Sequence, residues 1–184
     1  MVSLMQRRRE MMKAAGATPP TPSGPLYPSD NFTDSSVSGF TVTVTNGNHF
    51  AVKFTKYVAN YQTRTANYSS FNSAWTDWMP LHNGDQVVMK LKNISYSNSK
   101  STSRNFECNF RETGTNTALF GFVNALGSRL TIPSGTGTLA DKTYSTTISG
   151  DTGVSALRFW DNNTSGTLQV EMDIEVTVNG IRYL

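Results

Sequence analysis

Residues 57–82, YVANYQTRTANYSSFNSAWTDWMPLH, hold the side chains best suited to recognition chemistry. Tyr61, Tyr68, Trp75 and Trp78 lie there among Asn, Gln, Ser and Thr. Aromatic rings stack on the apolar faces of sugars, and amides and hydroxyls take the ring hydroxyls, so this composition suits a glycan site. The same rings would also serve to close one end of a β-sandwich. A second candidate is the acidic row Glu171, Asp173 and Glu175, since carboxylate oxygens are what calcium takes. Such acids on one strand recur in steps of about 7 Å, too far apart to chelate one ion without loop ligands. The competing reading is a solvated face paired across strands with Lys90 and Lys92.

Catalytic chemistry finds little footing. His49 falls in a hairpin and His82 before Gly84-Asp85, and neither has a motif around it. The nucleophile-elbow pattern G-x-S-x-G does not occur. GTGT at 135–138 lacks the lysine that a phosphate loop needs. No pair of acids is placed as a glycosidase requires. Cys108 is the single cysteine, which excludes an intrachain disulfide and a zinc cluster. In NFECNF, alternation turns it to one face with Phe106 and Phe110, as a core thiol. No catalytic residue, cofactor or metal is expected.

The elements that must carry these residues are strands. GFTVTVTNGNHFAVKF reads as two β-rich runs joined at Asn46-Gly47-Asn48, a hairpin signal. Further strands are expected at 86–96, 104–111, 117–123, 128–132, 143–149, 154–160 and 167–178. In the last, Leu168, Val170, Met172, Ile174, Val176 and Val178 alternate with polar residues. In 86–92, Val87, Met89 and Leu91 face the core and Lys90 and Lys92 face out. The fold class is therefore all-β: one antiparallel β-sandwich, a jelly roll, over 37–184.

Two different segments precede it. Ser3 to Gly16 has a helix cap, Gln6 at the capping-box position, strong helix formers and a glycine stop. Leu4, Met5, Met11 and Met12 make up its apolar share, and Arg7, Arg8 and Arg9 its basic run. Residues 17–36 hold most of the prolines, with Ser, Thr and Asp, and read as a linker. The organisation expected is thus 1–16 anchoring helix, 17–36 linker and 37–184 sandwich. Residues 1–13 contain four basic side chains and one acid, while the other residues hold twelve of each sign. The basic character belongs to the leader, which argues against a nucleic-acid surface on the domain. No apolar run reaches the ~20 residues that span a bilayer, and no apolar stretch of signal-peptide type follows the basic start.

The opening MVSLMQRRREMMKAAG, followed by PSGPLYP, resembles the leader of small structural proteins of phages and prophages of gut Firmicutes. In those proteins similar starts precede β-sandwich domains that are often lectin-like. The stretches NGDQVVMKLKNISY and GVSALRFWDNNTSGTLQVEMDIEVTVNG are similar to strands of jelly-roll carbohydrate-binding modules and galactose-binding-like domains. This second resemblance lies in strand pattern and transfers no sugar-contacting position. The resemblances imply a non-enzymatic virion protein (capsid decoration, head fibre or minor tail component). Its leader would dock on other virion proteins, and its jelly roll would be displayed toward host or mucus glycans. A helix of about twelve residues is marginal alone in water and gains order from a partner groove. A homo-oligomer suits an anchor helix and exposed sheet edges. Three alternatives remain: a single-jelly-roll capsid protein with a basic nucleic-acid-binding arm, a membrane-surface protein, and a glycan-active enzyme.

Overall fold

The structure is a computed structural model that describes residues 35–37, 39–55, 64–66, 79–112, 115, 117–161 and 165–184. In chain order its strands are β1 (Ser35–Val37), β2 (Phe40–Thr45), β3 (His49–Phe54), β4 (Arg64–Ala66), β5 (Met79–Leu81), β6 (Gln86–Asn98) and β7 (Arg104–Glu112). There follow β8 (Ala118–Phe122), β9 (Leu130–Ile132), β10 (Gly135–Leu139), β11 (Lys142–Thr147), β12 (Thr152–Asp161), β13 (Leu168–Val178) and β14 (Ile181–Arg182). A 3-10 turn, Asn124–Leu126, leads from β8 toward β9. Among the described residues no helix is long and apolar enough to cross a membrane.

The first sheet runs β1-β2-β3-β13-β6-β10, with β11 also on β6 and β14 on β13; the second runs β4-β12-β7-β8, with β5 on β12 and β9 on β7. All pairings are antiparallel. From β3 onward the chain passes between sheets so that β3, β13, β6 and β10/β11 oppose β4/β5, β12, β7 and β8/β9. That order is a jelly roll. The helix expected over 1–16 and most of the linker lie outside the described residues. Pairing begins at Ser35, opposite Val42.

Phenylalanines join the two layers. Phe50 of the first sheet lies 5.8 Å from Phe159 of the second, and Phe54 meets Phe106 edge-on at 6.4 Å. Phe110 stacks on Phe120 at 4.9 Å. Aromatic pairs in these geometries add about 0.5–1.5 kcal/mol each beyond the area they bury. Cys108 is fully buried in this core, and burial pushes its thiol well above the usual range, so it is inert packing.

Strand 168–178 has the alternation expected of it: Leu168, Val170, Met172, Ile174, Val176 and Val178 are all fully buried. The hairpin turns at Asn46 and Gly47, both at positive φ (51° and 73°), and Thr45 pairs with His49. On β6 the parity changes midway. Val87, Met89 and Leu91 face the core, then Ile94 does. Asn93 sits between them at φ 52°, where the register against β13 slips by one. This bulge turns the second half of the strand over. The GTGT segment is strand β10, and Gly137 is there because Tyr96 crosses it: a Cβ would stand 2.8 Å from the Tyr96 hydroxyl. One end of the sandwich is closed by a buried ion pair, in which Arg104 donates to both carboxylate oxygens of Asp161 and to the Gly166 carbonyl.

Candidate functional site

The aromatic candidates Tyr61, Tyr68, Trp75 and Trp78 lie outside the described residues, as do the leader positions Leu4, Met5, Arg7, Arg8, Arg9, Met11 and Met12. The acidic row is described in full. Glu171, Asp173 and Glu175 occupy the outward side of β13, half-exposed, and each accepts a hydrogen bond from a neighbour. Gln169 Nε2 donates to Glu171 at 2.7 Å, and Lys92 Nζ bonds Glu175 at 2.8–2.9 Å. Asp173 accepts from Asn93 Nδ2 at 2.7 Å and pairs with His49 Nδ1 at 2.8 Å. Burial works against ionisation of Asp173, but the bonds from Asn93 and His49 override it and hold the carboxyl below its ordinary range. Asp173 is thus stitched to β3 and β6 and Glu175 to β6, while Glu171 is held within β13. Among the described residues no group of three metal-ligating side chains converges.

The second sheet presents a different outward side. Phe106, Cys108 and Phe110 of β7 point into the core, so Glu107, Asn109 and Arg111 point out. On β12, Leu157 and Phe159 point in, so Arg158 and Trp160 point out. The register sets Arg158 directly across from Asn109 and Trp160 across from Glu107. These five side chains form one patch on the two central strands. Outward polar residues of a sheet are normally wet, but here Asn109 is 0% exposed, Glu107 8% and Arg111 9%. Arg158 and Trp160 keep intermediate exposure.

Hydrogen bonding in this patch is incompletely matched. Glu107 Oε1 accepts from the Asn124 backbone N–H at 3.0 Å, and Arg111 donates to Asn109 Oδ1 at 3.2 Å. Asn109 Nδ2 and Arg158 Nε are buried and have no partner among the described residues. Burial, then the nearby Arg158 charge, pushes the Arg111 guanidinium down to about 10, against the pull of Glu107. Burial likewise lowers Arg158, and Glu107 opposes it. The patch therefore combines a half-exposed indole with two buried donors that have no acceptor among the described residues. The half-exposed indole of Trp160, beside the part-exposed Arg158, offers a surface on which a sugar ring can stack.

Sequence reasoning placed recognition chemistry at 57–82 and passed over RFW at 158–160. The signal was present: in an alternating strand with Phe159 inward, Arg158 and Trp160 fall together on the outer side.

Strand order and the β7–β12 patch together define an all-β jelly-roll sandwich with a candidate binding face on its second sheet. No family model and no curated protein matches the chain. Among solved structures it is similar to one described as BiXyn10A CBM1 in the apo state, at 14% identity and a TM-score of 0.38, over 78% of this chain and 87% of that one. The jelly-roll assignment rests on the strand order alone.

Proposed function

We propose that this chain is a non-enzymatic, virion-associated phage protein, held in a larger assembly by residues 1–16 and displaying a jelly roll that binds glycans on the β7–β12 face. The observation that carries the glycan reading is that face: half-exposed Trp160 beside Arg158 and Asn109, whose Nε and Nδ2 are buried without acceptors. The part-exposed Arg158 guanidinium can donate to sugar hydroxyls at the surface, and the indole supplies the stacking surface. The assembly reading is supported by the leader resemblance and by the confinement of the net positive charge to that segment.

A glycan array probed with the full chain tests the first half. Discrete glycans should bind, and Trp160→Ala should remove the signal; no binding above background, or binding indifferent to Trp160→Ala, overturns it. The second half is tested by deleting residues 2–15. The remaining domain should stay folded and soluble but no longer join particles, and retained incorporation would sink the anchor.

A further inference from the structure

At one edge of the sandwich, the β8–β9 side of the second sheet faces β10 and β11 of the first. A pocket of about 400 Å³ opens there. Its apolar wall is Phe122, Leu130 and Leu139, and Phe122 is braced edge-on by Tyr144 at 6.3 Å. Two cations stand on it from different sheets: Arg129, just before β9, and Lys142, the first residue of β11. Among the described residues no carboxylate lines it. Among the described residues neither cation enters an ion pair or a hydrogen bond.

The lip is preformed. Gly127 adopts the left-handed conformation at φ 68° and donates its N–H to the Asn124 carbonyl at 2.9 Å. Ser128 Oγ donates to the Gly121 carbonyl at 2.6 Å and accepts from the Val123 N–H at 3.2 Å. The turn that carries Arg129 is therefore fixed before any ligand arrives, which lowers the ordering cost of binding. Leu126, on the same turn, is the exposed large hydrophobic among the described residues, at 37%.

From this we infer a second ligand subsite, separate from the β7–β12 face, that takes an anionic saccharide. The acidic group would lie between Arg129 and Lys142, with the ring's apolar side against the part-exposed Leu139. The inference rests on the glycan reading for the ring and on the pocket's own charges for the anion. The volume is near the lower end of the roughly 300–1,000 Å³ typical of ligand pockets, which suits one or two sugar rings over a long chain. Neutral sugars would leave the two cations unanswered. An acidic one supplies charge-assisted bonds, which are about twice as strong as neutral ones.

Titration of the full chain with galacturonic acid, galactose 6-sulfate, neutral galactose and inorganic sulfate, followed by amide NMR, tests this. Both acidic sugars should shift Leu130, Thr131 and Lys142 saturably and bind at least about tenfold more tightly than galactose. Raised salt should weaken that binding. Arg129→Ala and Lys142→Ala should each cost about tenfold, while Lys142→Arg retains most of it; both positions are exposed, so the fold survives. Equal binding of galactose, equal binding of inorganic sulfate, or indifference to both alanine substitutions overturns the subsite. Trp160→Ala separates the two readings, because it should abolish array binding and leave these shifts intact. Shifts lost with Trp160 would sink a separate subsite. Shifts in the unsubstituted chain, where that chain itself gives no array signal, would sink the face and spare the pocket.

Discussion

Glu171, Asp173 and Glu175 on β13 and Glu107, Asn109 and Arg111 on β7 hold comparable positions, each the outward set of a strand flanked on both sides within its sheet. Their surroundings differ. On β13 the acids are half-exposed and each has a partner on its own or a neighbouring strand. Such pairs stabilise by about 0–1 kcal/mol, which is what lateral stitching requires and no more. On β7 the side chains are buried, and two donors in the patch have no acceptor among the described residues. An unmatched buried donor costs about 1–3 kcal/mol, so the patch lowers fold stability. The more strongly charged row is the one whose side chains are all partnered, and the quieter strand is the one with unmatched donors beside it.

The contrast depends on burial deciding what a polar group costs, and the sandwich offers a strong check. Arg104→Ala takes the guanidinium away from the Asp161 carboxylate, which is 2% exposed. A loss of about 3–5 kcal/mol in urea unfolding is expected, a large share of the 5–15 kcal/mol typical of a domain. A loss under about 1 kcal/mol would show that burial is a poor guide here and would dissolve the comparison. Next in size is binding: Trp160→Ala should weaken a glycan found on the array by about thirtyfold, the cost of losing one central aromatic contact. Asn109→Leu then sets function against stability. It removes a buried amide with an unmatched Nδ2 and gives up one bond from Arg111, so stability should stay within about 1 kcal/mol while glycan binding falls. A larger destabilisation would mean that the amide is matched after all and that β7 resembles β13.

How far sequence reveals this molecule follows from the same physics. The β13 register, the Asn46-Gly47 hairpin and the core placement of Cys108 were all legible, because period-two burial and left-handed turns leave local marks. The Asn93 bulge was not, since it depends on where β13 slips against β6. GTGTL gave no strand signal because Gly137 answers to Tyr96, distant in the chain. The patch was half legible: RFW fixes which side Trp160 takes, but only cross-strand register places Asn109 opposite Arg158. The edge pocket was invisible, because Arg129 and Lys142 meet only when the sheets close.

The smallest effect sharpens the β13 side. The Asp173 carboxyl is held below its ordinary value of 3.8, so the folded chain keeps it ionised more readily than the unfolded chain does. Its contribution is therefore complete above that value and is lost as pH falls through the lower, folded one. Asp173→Asn should cost no more than about 1 kcal/mol at pH 7, as expected for a partly exposed group. The deficit relative to the parent chain should shrink as urea midpoints are followed from pH 5 downward, because the parent carboxyl then protonates and loses the same charge. Glycan binding at pH 7 should not change. A deficit that stays constant into acid would assign the contribution to shape over charge. Lost glycan binding would place β13 among the recognition elements and erase its difference from β7.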